Sequence, residues 1–350
     1  MFRIVEKRKV GVKVEKGPIL RINDLKVSFQ SGGKYIPAVD GVSFELKEGE
    51  ILGIVGESGS GKSVTALSVM GLIPSPQGKV DNGSIIFEEK EITNISESEW
   101  RKIRGNQISM IFQEPMTSLN PLFTIGNQLK ETIRLHTNLT KKESKMRSIE
   151  LLRLVGIPRV EGILKEYPHQ LSGGMRQRVM IAMAMACHPE VLIADEPTTA
   201  LDVTIQAQIL ALMKELNKKT NTSIILITHD LGVVASICEK VMVMYAGQIV
   251  EQGEVREVLK NPGHPYTKGL LKSAPDIREH KERLYSIPGT VPAPGTVKQG
   301  CRFAARCSES FARCQTEDPK LYVSSNDGHL VRCFLHSVKE GSDQHAGVTT

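Results

Sequence analysis

Residues 56–63 read Gly56-Glu57-Ser58-Gly59-Ser60-Gly61-Lys62-Ser63, a pattern of glycines, lysine and hydroxyl suited to a polyphosphate. The glycines let the backbone curl until its N–H groups point inward at phosphate oxygens. Lys62 can reach the β- and γ-phosphates, Ser63 can ligate Mg²⁺, and the helix opened by Val64 adds its positive end. Gly56, Ser58, Gly59, Ser60, Gly61, Lys62, Ser63 and Val64 are therefore the nucleotide-binding candidates. A second constellation is Val191-Leu-Ile-Ala-Asp195-Glu196, an apolar run ending in adjacent carboxylates. Consecutive side chains at a strand end point different ways, so Asp195 can enter a Mg²⁺ shell while Glu196 faces an attacking water. A third is Cys301, Cys307, Cys314 and Cys333, with five, six and eighteen residues between them. Structural zinc pairs and ferredoxin runs are tighter, so the spacing alone names no metal, and free structural thiols stand beside a metal site as the other reading.

These groups need a scaffold. Ile51–Val55, Val191–Ala194 and Ser223–Thr228 are short continuous apolar runs, the pattern of parallel strands buried on both faces. Between the last two, Ile205, Ile209, Leu212, Met213 and Leu216 recur at helical spacing, giving strand, crossover helix and strand. From Leu20 to Glu48 two alternating stretches flank Ser31-Gly32-Gly33, which reads as antiparallel strands with one wet face. Residues from about 120 to 187 carry helical periodicity, as at Ile149, Leu152, Leu154 and Val155. From Ile287 the chain becomes irregular and leads into the Cys-rich tail. The expected class is α/β, with a basic leader at 1–17, a nucleotide-binding domain at 18–275 and a C-terminal extension at 276–350.

Further along, Leu171-Ser172-Gly173-Gly174-Met175-Arg-Gln-Arg resembles the signature that defines the ATP-binding cassette (ABC) ATPases. Gln113 in Ile-Phe-Gln-Glu-Pro, Asp202 in Thr-Ala-Leu-Asp and His229 after Ser223–Thr228 match that family in the same order. The resemblance implies a P-loop NTPase cassette, a RecA-like core with an antiparallel β subdomain and an α-helical subdomain, hydrolysing ATP with Mg²⁺. It makes Glu196, His229, Gln113 and Lys62 the catalytic set and Ser63, Gln113 and Asp195 the Mg²⁺ set. Asp202 becomes the D-loop residue, and Phe29, preferred over Tyr35, the adenine-stacking aromatic. Ser172, Gly173 and Gly174 would close a site in trans, on a second ATPase subunit in a head-to-tail dimer. A P-loop kinase or small GTPase lacks such a signature.

Asn261-Pro-Gly-His-Pro-Tyr-Thr-Lys-Gly and Gly300-Cys-Arg-Phe-Ala-Ala-Arg-Cys resemble the C-terminal extension of oligopeptide/dipeptide ABC importers, a branch that includes nickel importers. The resemblance implies peptide import through two transmembrane permease subunits, with an extracytoplasmic substrate-binding protein indirectly involved; a nickel importer is the alternative, and a non-transport ABC ATPase of DNA repair or translation the rival. It also implies a 4Fe-4S cluster on Cys301, Cys307, Cys314 and Cys333, with Zn as the alternative, clasping the tail.

Bulk properties narrow the field. At 350 residues, 40% hydrophobic and 24% charged, the chain sits near globular averages, away from disordered or disulfide-stapled classes. No apolar run of about 18 residues occurs, and charge breaks the N-terminus, so the chain is expected to stay in the cytoplasm; the importer resemblance implies a peripheral position on the cytoplasmic face of the membrane. The net charge of +6 gathers partly in the first 17 residues, which hold six Lys/Arg against two Glu. That leader reads as a solvated tail, and nucleic acid is not an expected partner.

Overall fold

The computed structural model describes residues 17–113, 118–199, 201–273, 285–325 and 328–340. The leader up to residue 16 and most of the expected 276–287 boundary lie outside them.

Strands are numbered in chain order. β1 (Leu20–Ser31) and β2 (Lys34–Leu46) form a hairpin across Gly32 and Gly33. Both glycines have positive φ, +57° and +76°, the geometry that tight hairpin turns demand and L side chains resist. β4 (Gly78–Phe87) joins the free side of β1, and the two-residue β5 (Lys90–Glu91) finishes a four-stranded antiparallel sheet.

The second sheet carries the chemistry. β3 (Ile51–Val55), β7 (Val191–Asp195) and β8 (Ser223–Thr228) are buried at every residue, as their continuous apolar runs require. With β6 (Ile108–Ile111) and β9 (Lys240–Tyr245) they form a parallel array in the order β9-β3-β8-β7-β6. The helix Val203–Thr220 connects β7 to β8 and buries Ile209, Leu212, Met213 and Leu216. Helices Ile125–His136, Lys141–Leu154, Val160–Ile163 and Gly173–Ala184 lie between β6 and β7, and Ile133, Leu152 and Val179 from them share one apolar cluster with Leu192 and Leu226.

The tail departs from its expected irregularity. β10 (Gln248–Glu254) turns back along β9, and β12 (His329–Val331) and β11 (Tyr322–Ser325) add to its edge in antiparallel fashion. The eight-stranded sheet therefore runs from core into extension without interruption. Phe303 anchors the tail in the same cluster as Val55, Tyr245 and Tyr266, with ring centroids 5.2 Å from Tyr245 and 5.4 Å from Tyr266. Full burial of an aromatic ring of this size contributes about 1.5–3 kcal/mol. Sheet pairing and aromatic burial thus seat the tail.

Candidate functional site

The loop after β3 folds as its glycines dictate. Gly59 and Gly61 take φ of +78° and +100°, and Gly61 caps the helix Lys62–Val69 with no side-chain hydrogen bond, leaving its first N–H groups free for an anion. A Cβ on Gly56 would sit 2.2 Å from the Met244 carbonyl oxygen, so the loop grazes β9. Gly56→Ala is expected to cost about 1–3 kcal/mol of stability through that clash and to weaken ATP binding at least tenfold, read by thermal melting and calorimetric titration. Unchanged affinity would show that the loop tolerates displacement there.

Lys62 is buried, and its Nζ donates to the carbonyl oxygens of Gly56 at 2.7 Å and Glu57 at 3.0 Å. Burial pulls its pKa below the ordinary lysine value, while Glu196, Asp195 and Glu57 push the other way. The ammonium is thus poor in hydration, a cost that an anion accepting its hydrogen bonds offsets. Asp195, at the end of β7, is also buried; burial raises its carboxyl, and the Ser63 hydroxyl, donating to it, offsets part of that rise. Its Oδ1 has no hydrogen-bond partner, nor has the buried Ser60 hydroxyl. A hydroxyl beside an under-satisfied carboxylate is the hard, all-oxygen donor set that Mg²⁺ favours, so these residues fit that ion.

Glu196 is where the expected catalytic residues meet. Its φ is +47°, a left-handed conformation that costs a non-glycine residue of order 1–3 kcal/mol and turns the chain sharply after β7. Its N–H donates to the Ile227 carbonyl on β8 at 2.9 Å. Oε2 accepts from Gln113 Nε2 at 3.1 Å and from the Thr199 hydroxyl at 2.9 Å, and Oε1 lies 3.5 Å from His229 Nδ1. Three chain segments thus converge on one carboxylate. Thr199 was not anticipated; the only sequence signal is its place three residues after Glu196, within reach once the chain turns.

The remaining candidates sit elsewhere. Ser172 caps the helix Gly173–Ala184, accepting from the Met175 N–H at 3.3 Å, and a Cβ on Gly174 would come within 2.9 Å of Ile205. Asp202 caps the helix Val203–Thr220 through the Ile205 N–H at 2.9 Å. Phe29 is half-buried opposite Ile36 on the hairpin. Tyr35 is committed locally: its hydroxyl donates to the Pro76 carbonyl at 3.0 Å, and Lys79 Nζ lies 4.4 Å over its ring.

The cysteine expectation is corrected. Cys301, Cys307, Cys314 and Cys333 line one small pocket, but with Phe303, Phe311 and Phe334 as companions. Among the described residues no group of three or more His, Cys, Asp or Glu is placed to hold a metal ion, and all six cysteines are free thiols. Neither a 4Fe-4S cluster nor Zn is supported. Burial pushes the Cys301 and Cys307 thiols up and Cys333 to about 11. The four behave as small apolar fillers.

Among the described residues no helix is long and apolar enough to cross a membrane.

Comparison with known proteins yields a consistent set of similarities. The ABC transporter profile matches residues 39–199, and a profile for the oligopeptide/dipeptide transporter C-terminal region matches residues 250–314. The oligopeptide transport ATP-binding protein AppD of Bacillus subtilis is 55% identical over 93% of this chain and 99% of its own. The dipeptide transport ATP-binding protein DppD of Escherichia coli is 49% identical over 90% of this chain and 96% of its own. Among solved structures, the ATP-binding cassette MJ0796, in a dimeric post-hydrolysis state bound to ADP and Pi, aligns with TM-score 0.61 and 28% identity. That alignment covers 68% of this chain and 99% of that one.

Proposed function

This chain belongs to the ATP-binding subunits of ABC transporters and is an importer ATPase, and on that premise we propose that its cargo is oligopeptides or dipeptides. The cargo reading is supported by the peptide-transport relatives and the C-terminal family match, and ATP hydrolysis by the meeting of Gln113, Thr199 and His229 at Glu196, beside the phosphate loop. In this proposal the loop Gly56–Ser63 with Val64 receives the phosphates, Phe29 stacks on adenine and Lys62 neutralises the β- and γ-phosphates. Glu196 orients the attacking water and takes its proton, Gln113 and Thr199 fix that carboxylate, and His229 steadies the γ-phosphate. Ser63, Asp195 and Gln113 would hold Mg²⁺, which when bound supplies positive charge against the phosphoryl oxygens.

Ser172, Gly173 and Gly174 serve the site of a second cassette, and Asp202 carries the state of one site to the other. Two permease subunits at the cytoplasmic side of the membrane are the partners that the importer relatives support. Residues 18–275 form the catalytic domain and 276–350 the extension.

The test is transport. Membrane vesicles holding the partner permease subunits should accumulate a labelled dipeptide or oligopeptide only with the chain and ATP, and lose uptake with Glu196→Gln. Uptake of nickel without peptide would transfer the cargo assignment to nickel. ATPase activity stimulated by DNA but not by permease would overturn the importer reading.

A further inference from the structure

Glu57 stands inside the phosphate loop as its one acidic side chain. A carboxylate there repels an incoming polyphosphate and competes for its counter-charges. The extension answers that charge. Arg306 sets its guanidinium fork on the Glu57 carboxylate, with Nη1 2.7 Å from Oε2 and Nη2 3.2 Å from Oε1. A two-pronged pair of this kind fixes geometry as well as charge.

The arginine is itself held. Its Nε donates to the Pro288 carbonyl at 2.8 Å and Nη2 to that of Ile287 at 3.3 Å. Its side chain is 7% exposed, with the rings of Tyr245 and Phe303 5.7 Å and 5.9 Å from the guanidinium. A second contact reaches the same loop residue: the Glu57 N–H donates to the hydroxyl of buried Tyr266 at 2.9 Å. Nearby, Arg302 donates to Asp40 and to the Ala246 carbonyl, tying the extension to β2 and to the turn after β9.

We propose that Arg306 is a positioning residue for ATP binding: it neutralises and aims the Glu57 carboxylate away from the phosphates, so that the extension sets the affinity of the phosphate loop. Tyr266 pins the backbone of Glu57 while Arg306 pins its side chain. The inference rests on Gly56–Ser63 being the ATP site.

The experiment is calorimetric titration of the purified full chain with Mg-ATP, alongside Lys62→Ala as a loop control. Absence of binding by the wild type would overturn the site itself. Given wild-type binding, Arg306→Ala is expected to weaken ATP affinity about tenfold, and Arg306→Gln, which keeps most of the bulk, serves where the alanine variant fails to fold. The decisive variant is Arg306→Ala with Glu57→Gln. If Arg306 works by neutralising Glu57, removing the carboxylate restores affinity to within about threefold of wild type. A purely structural arginine predicts no such rescue. Unchanged affinity in the single variant, or a double variant as weak as the single, would overturn the proposal.

Discussion

Glu196→Gln is expected to bind ATP within about threefold of wild type while hydrolysing it at least ~10²-fold more slowly. Glutamine keeps the volume and the left-handed backbone, so φ of +47° strains both side chains alike. It also keeps an oxygen for the Thr199 hydroxyl, and Gln113 can rotate its amide to suit. What is lost is the ability to take a proton from water, together with one negative charge near the γ-phosphate. Losing that charge favours the ATP-bound state, so a dimer closed on ATP should accumulate. Single-turnover hydrolysis separates chemistry from product release, and size exclusion with ATP reports the dimer. Near-normal turnover would remove Glu196 from its role. Thr199→Ala, which deletes one of the hydrogen bonds orienting the carboxylate, should fall between wild type and Glu196→Gln.

The legible part of this protein was local. The phosphate loop needs its glycines and lysine within eight residues, and β3, β7 and β8 declare themselves as unbroken apolar runs, so the parallel core could be read from the chain. Thr199 escaped because a threonine after Glu-Pro is ordinary until the turn at Glu196 brings it under the carboxylate. The partners of Glu57 escaped for another reason: Tyr266 and Arg306 lie 209 and 249 residues further on, and nothing local marks an arginine as the counter-ion of a distant loop. The tail was misread in both directions. Its strands are four and three residues long, too short for a periodicity signal; they form because β10 offers an unpaired edge. Its clustered cysteines suggested a clasp, yet they line a pocket with Phe303 and Phe334, where burial raises the Cys301 and Cys333 thiols.

A buried polar contact that joins tail to core is Glu251 with His329, and Glu251→Ala is expected to destabilise the protein by about 3–5 kcal/mol. The side chain is fully buried on β10. Oε1 accepts from the Gly263 N–H and pairs with His329 Nε2 on β12, both at 2.7 Å, and Oε2 accepts from the His264 N–H at 2.9 Å. Alanine would strand two backbone donors and a histidine in a dry site. Burial alone would raise the Glu251 carboxyl, but the pairing with His329 and the two backbone N–H groups outweigh it and leave its pKa below the ordinary value. Burial takes the neighbouring His264 down to about 4. Each group then holds fewer protons folded than unfolded, so each contributes stability at neutral pH that drains away on acidification. For His264 the loss runs from its ordinary value of 6.5 down to about 4; for Glu251 it begins below the ordinary 4.5. Melting temperature should therefore drop between pH 7 and pH 5, with His136 and His188, also lowered by burial, adding to the effect of His264, and a flat profile would contradict the burial of these histidines in neutral form. Hydrogen exchange locates the effect of Glu251→Ala: if the pair joins two parts of one sheet, protection at Val331 should fall before protection in β3. Simultaneous loss in both would mean that the extension and the cassette unfold as one unit.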